Sequence, residues 1–383
     1  AGAWCGQNKY LSAIKNAFQN FMPLTIAGAI GVLWCNVLVN DQTGLGLFFK
    51  PIMALDFLNP AFQAVNFCTI SCITVGITLG IAQEIGVWNM GAERAGYIPG
   101  LVGLAAWLSV TNTSHMVEGA KEAFTGIAGN ELGATGLFTG MIIGVLSVEL
   151  FCFFEKQDAL KIKMPEQVPP GVARAFEVLV PATITLIITA CIGSACYNLT
   201  GLYLNDVIKN GIQGPLGAVG ATIPGVMIIY LVIMLFWLVG IHGNNMLSAV
   251  KEALFTPLAL ENVEKFNKGE KPTNIINMYA LQMWGEFGGS GVTIGLVIAI
   301  MIFGKREDNK AIATLSLVPG LFNINETVTF GIPMVLNPIL GIPFVFACLV
   351  TILVGYVLTV IGFCPVACLT VPWTTPPIVF GFL

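Results

Sequence analysis

Apolar residues run through this chain in stretches of the length a bilayer demands. A helix needs about 20 of them to cross a hydrocarbon core roughly 30 Å thick. Such stretches lie near residues 21–39, 62–83, 96–112, 133–154, 176–198 and 221–241. Beyond them the pattern loosens into 275–303, 311–331 and 333–363, where glycine, proline and polar residues break the runs. The pattern predicts an all-α polytopic membrane protein.

Basic residues orient the spans. They cluster at Lys156, Lys161, Lys163 and Arg174, again at Lys265, Lys268 and Lys271, and again at Lys305, Arg306 and Lys310. The positive-inside rule places all three groups in the cytoplasm, and counting back four spans leaves the N-terminus inside with Lys9 and Lys15. Between Lys271 and Lys305 one crossing gives the wrong parity, and about 30 residues are too few for two. A re-entrant hairpin with a span, or a broken helix, is therefore expected around "MWGEFGGSGVT". Residues 311–331, interrupted by Pro319, Gly320 and "NINET", predict a second hairpin with Asn325 and Glu326 near its tip. Irregular backbone at membrane depth is tolerated only where it lines protein or a wet cavity, and in transporters it marks the substrate site. Residues 8–18 place Tyr10, Leu11, Ile14, Ala17 and Phe18 on one face, which predicts an interfacial helix.

Composition agrees. Of 383 residues, 56% are hydrophobic and 10% charged, against about a quarter charged in soluble domains. Mean hydropathy is +0.82. The chain opens on Ala1 without a cleavable signal sequence, so a trimmed start is expected. The net charge of -4 says little about partners, and nothing points to nucleic acid. The ten cysteines fall mostly within apolar runs. Cys68 with Cys72, and Cys364 with Cys368, have helix-face spacing but no His or carboxylate at zinc-type spacing, so small buried hydrophobes are expected, with no metal and no cofactor. There is no HExxH or GxSxG, and only His115 and His242 could serve a triad, so hydrolase chemistry has little room.

Polar residues in the second half carry the candidate chemistry. A carboxylate at mid-membrane costs roughly 2.5–3.5 kcal/mol on insertion scales, so Glu326 is expected to have a task. It either accepts backbone amides at the hairpin tip or, with Asn325, grips sugar hydroxyls, which both donate and accept. His242, between Gly240 and Gly243, is either a packing histidine or a hydrogen-bond donor or proton relay, and Asn245 shares its face. Gly288, Gly289, Ser290 and Gly291 allow close approach of backbone to a ligand or to a neighbouring helix. Trp373 is either an interface anchor or a stacking platform for a pyranose ring. Glu286 either joins the site or faces the vestibule.

"GIHGNN", "GGSGVTIGL", "NINETVTFGIPMVLNPILGIPF" and "VPWTTPP", in this order, resemble the membrane subunit, enzyme IIC, of the bacterial sugar phosphotransferase system, in its lactose/cellobiose/diacetylchitobiose family. The opening "YLSAIKNAFQNFMPLTIAGAIG" is similar too, so the resemblance spans most of the chain. It implies about ten transmembrane helices with two re-entrant hairpins and an elevator-type movement. It also implies a homodimer in the bacterial cytoplasmic membrane, with residues 1–175 carrying the dimer interface and 176–383 the sugar. It implies transport of a β-linked disaccharide, cellobiose first, then diacetylchitobiose or lactose. The partner would be a IIB subunit phosphorylated on a cysteine, with IIA upstream, so the phosphoryl donor lies on another protein. The family's sugar-contacting His and Glu fall on His242 and Glu326, and Glu326 is the candidate to position or deprotonate the hydroxyl that becomes phosphorylated. The sugar-site set expected from residues and resemblance together is His242, Asn245, Gly289, Ser290, Asn325, Glu326 and Trp373. Two departures stand out: Thr327 replaces the family's proline after Asn-Glu, and the family's further helix after "VPWTTPP" is expected to be truncated here. An ion-coupled secondary sugar transporter, with His242 and Glu326 as proton relays, is the alternative, and a scaffold or receptor a third.

Overall fold

The computed structural model describes residues 8–41, 45–115, 124–165, 167–332, 334, 337–369 and 371–382. Among them the regular secondary structure is helical apart from one short antiparallel pair, Ser114–His115 with Phe124–Thr125. Lys9–Leu38, Leu137–Glu155, Pro170–Thr200 and Pro338–Val360 are long and apolar enough to cross a membrane, and Lys50–Ser71 with Ile73–Met90 qualifies as a fifth, broken span. Ile98–Val110, Ile223–Leu238 and Thr293–Phe303 are apolar but shorter.

Contacts divide the chain into two compact units. One takes Gln7–Thr25 and Phe67–Pro215, the other Ile26–Asn66 and Leu216–Leu383. Pro170–Thr200 groups with the earlier helices because it packs on Ile98–Val110 and Leu137–Glu155.

In the first unit Ile73, Ile77, Ile81 and Ile85 repeat every four residues and form a buried ridge on Ile73–Met90. Small residues let the neighbours close in: a Cβ on Gly103 would stand 2.3 Å from Ala82 Cβ. Such contacts supply helix packing in a bilayer, where the solvent is itself apolar. The buried hydroxyl of Thr74 reaches backbone, its Oγ1 donating to the Gly133 carbonyl at 2.7 Å. Glu155, its side chain 3% exposed, accepts from Arg94 at 2.8 Å and Arg174 at 2.9 Å, and Glu177 pairs with both arginines.

Residues 8–18 do not form a separate interfacial helix. They begin the continuous helix Lys9–Leu33, with Ala13, Ala17 and Phe18 buried. Lys9 is drawn in by Glu149 at 2.6 Å, a partner far along the chain that no local pattern could reveal.

The second unit carries both interrupted regions. Met278–Gly285 and Thr293–Phe303 flank the break at 286–292, and Glu307–Leu321 and Glu326–Gly331 flank the break at 322–325. At 1.5 Å per residue, the 8-residue and 11-residue helices reach only about 12 and 17 Å, short of a hydrocarbon core. One helix, Ser248–Asn267, lies where no span was expected. Its buried face includes Lys251 and Asn262, and those polar residues conceal it from a hydropathy window.

Candidate functional site

The site grows from the ends of broken helices. Ile223–Leu238 stops ahead of Gly240, whose φ of 78° turns the chain. His242 follows in extended conformation and caps Gly243–Met246: the Asn245 amide donates to His242 Nδ1 at 3.2 Å. An accepting Nδ1 leaves the proton of a neutral imidazole on Nε2. Nε2 lies 3.4 Å from Glu326 Oε1. The ring also packs on Trp237, with centroids 4.4 Å apart, and Trp237 packs on Phe330 in the Glu326 helix.

Glu326 opens its helix directly after the break, where the helix dipole favours a carboxylate. Its side chain is 44% exposed. Thr327 is the next residue. Pro is tolerated in the first turn of a helix, where no intrahelical partner exists for its missing N–H. Thr327→Pro is therefore expected to fold and bind ligand as the parent does, and a change in melting temperature of more than about 2 °C would contradict this reading of the tip.

Asparagines join the two breaks. Asn323, at φ 62°, accepts from the Gly288 amide at 2.8 Å and donates to the carbonyls of Trp373 at 2.5 Å and Thr375 at 2.9 Å. Asn325, 3% exposed, donates to the Ser290 carbonyl at 3.0 Å and to Thr329 Oγ1 at 3.1 Å. Gly289 lies against Asn325 so closely that a Cβ there would stand 2.5 Å from Asn325 Cβ. Close packing of one break on the other therefore leaves no room for a side chain at 289. Ser290 Oγ accepts from Asn244 Nδ2 at 2.7 Å.

Of the expected residues, His242 and Glu326 meet side chain to side chain. Gly289, Ser290 and Asn325 form a second contact group one residue from Glu326. Asn245 joins through its backbone amide, its side chain exposed. Trp373 is held by its carbonyl, and the residue is 43% exposed. Asn323, Asn244 and Lys251 went unread in the sequence as site members. Glu286, left open between two roles, ion-pairs with Lys251 and accepts from the Tyr230 hydroxyl at 3.2 Å. The usable signal was the number of amides crowded at the breaks in otherwise apolar sequence.

A cavity of about 710 Å³ lies elsewhere in the unit, lined by Tyr279, Trp284, Phe287, Val354, Leu358 and Phe380 among others and by neither His242 nor Glu326. Its lining is nearly all apolar, unlike the carboxylate and imidazole of the His242–Glu326 group. No group of three or more metal-ligating side chains occurs among the described residues.

Apolar helices whose breaks gather a carboxylate, an imidazole and several amides define a membrane permease for a polar solute. The phosphotransferase system EIIC family model matches residues 15–348. Similar proteins include the oligo-beta-mannoside-specific EIIC component of Bacillus subtilis (strain 168), 33% identical over 98% of this chain and 83% of that one. The cellobiose-specific EIIC component of Lactococcus lactis subsp. lactis (strain IL1403) is 29% identical over 99% of this chain and 88% of that one. The crystal structure of the transporter ChbC, the IIC component from the N,N'-diacetylchitobiose-specific phosphotransferase system, superposes with a TM-score of 0.90 at 29% identity, covering 100% of this chain and 88% of that one. This chain belongs to the EIIC family of the phosphotransferase system.

Proposed function

We propose that this permease carries a β-linked disaccharide across the bacterial cytoplasmic membrane for phosphorylation by a IIB partner. Cellobiose is the first choice of cargo, followed by diacetylchitobiose and lactose. The observation that carries this reading is the His242–Glu326 pair, 3.4 Å apart, His242 capping Gly243–Met246 and Glu326 opening Glu326–Gly331. A carboxylate that accepts, beside an imidazole that donates, matches a sugar hydroxyl, which does both. The names of its relatives, which mention cellobiose and oligo-beta-mannosides, support a β-linked sugar.

In this reading the interrupted regions act as re-entrant hairpins, and the unit that holds them moves in an elevator-like way within a homodimer of about ten helices per chain. Basic loops and the N-terminus face the cytoplasm. There Glu326 positions, or takes the proton from, the hydroxyl that receives the phosphoryl group from IIB.

Calorimetry on the purified protein, without partner subunits or an ion gradient, tests the reading. The panel is cellobiose, diacetylchitobiose, lactose, a short β-mannoside and glucose. Saturable binding of one β-linked disaccharide is expected, while a folded protein that binds none of them would overturn the proposal.

A further inference from the structure

A buried ion pair lies behind the candidate site. Lys251, its side chain 4% exposed, pairs with Glu286, which also accepts from the Tyr230 hydroxyl. Removing two charges from water costs about what their attraction returns, so stability is a poor reason for such a pair. The direction of the adjoining hydrogen bonds supplies a better one.

Lysine has donors only. Nζ of Lys251 lies 3.4 Å from Asn244 Oδ1 and can interact with it only by donating. That interaction turns the amide nitrogen of Asn244 to Ser290, where Nδ2 donates to Oγ at 2.7 Å. The serine oxygen therefore accepts, and its own proton has no acceptor among the described residues. Ser290 is 4% exposed, and an unmatched donor that deep costs free energy unless something arrives to accept it. The same residue's carbonyl takes the Asn325 amide, which puts Ser290 one residue from Glu326 in the hydrogen-bond framework.

We propose that Lys251 is a positioning residue that sets the donor sense of the chain Lys251 to Asn244 to Ser290, and so presents the Ser290 hydroxyl as a donor to an oxygen of the saccharide. Glu286 holds the lysine in place. Without the lysine the Asn244 amide is free to reverse, and Ser290 would then spend its proton on Asn244 Oδ1. The proposal rests on the sugar reading above and adds which group of the site donates, and why it must.

Asn244→Asp separates this role from a structural one. Aspartate still faces Lys251, but it has no proton for Ser290, so the serine hydroxyl turns to donate to it and is withdrawn from the ligand. In calorimetry with cellobiose, or whichever panel sugar binds, Ser290→Ala and Asn244→Asp are each expected to lose about tenfold in affinity. The double variant should also lose about tenfold. A loss of about a hundredfold in the double variant would show independent contributions and overturn the chain. So would wild-type affinity in Ser290→Ala.

A second arm needs no sugar. Lys251→Met with Glu286→Gln removes both charges together and leaves none orphaned. Combined with Asn244→Ala, its melting temperature should depart from additivity by about 2 °C or more. Additive shifts would refute the link between Lys251 and Asn244. A wild-type protein that binds no saccharide would instead fail the function reading, and with it the ligand-directed role of Ser290, whatever the melting temperatures show.

Discussion

Glu326→Gln is expected to weaken disaccharide binding by about 2 kcal/mol, roughly thirtyfold, with little change in fold. Glutamine keeps the shape of the side chain and an oxygen that can still accept from His242 Nε2, so the 3.4 Å contact survives the change. What disappears is the negative charge. Hydrogen bonds to an ionised group contribute about 1.5–3 kcal/mol, against about 1 for neutral partners, and the difference is felt more where water is scarce. The charge also interacts favourably with the amino end of Glu326–Gly331, an effect of about 0.3–1 kcal/mol that stability measurements will register as a small loss. Calorimetry against the parent protein decides it, and unchanged affinity would remove Glu326 from the ligand contacts. His242→Ala should match the loss while also uncapping Gly243–Met246, because Nδ1 is the acceptor for the Asn245 amide.

Gly289→Ala is expected to cost about 2–4 kcal/mol of stability and most of the binding. The backbone there has φ 93°, in the region that side chains with a Cβ avoid, at a cost of about 1–2 kcal/mol. The new methyl would also meet Asn325 Cβ at 2.5 Å and Cγ at 2.9 Å. Those atoms cannot retreat cheaply, since Asn325 is tied to the Ser290 carbonyl and to Thr329. The strain would therefore reach Glu326, the next residue. Gly295→Ala is the matched control: it is exposed, nothing lies within 4 Å of its would-be Cβ, and it sits inside Thr293–Phe303. Alanine is the better helix former there by about 1 kcal/mol, so this variant should hold or gain stability. Equal melting temperatures for the two variants would refute the packing account of the tip.

Parts of this arrangement were readable in advance because the membrane simplifies the physics. Backbone polar groups in hydrocarbon must be satisfied locally, so long apolar runs become helices, as at Pro170–Thr200 and Pro338–Val360. Where glycine, proline and asparagine crowd such a run the helix breaks, as between Gly285 and Thr293 and between Leu321 and Glu326. A lone carboxylate and a lone histidine in that setting announce themselves by their cost. Ser248–Asn267 was missed for the converse reason. Its Lys251 and Asn262 look like loop residues in a linear reading, yet both are buried because partners wait for them: Glu286 for the lysine, and the Ala367 carbonyl among others for the asparagine.

Sequence by itself determined that the chain is a helical membrane protein, where its runs break, and which polar side chains are costly to place among apolar ones. Its motifs in order also specified the family. Only the tertiary structure decided that His242 presents Nε2 to Glu326, that Asn323 ties both breaks to the Trp373 loop, and that Lys251 is internal. Hydrophobic length is a local property, legible residue by residue along the chain. The direction of a hydrogen bond, and the partner that makes a buried charge affordable, depend on residues tens of positions away, and folding alone brings those together.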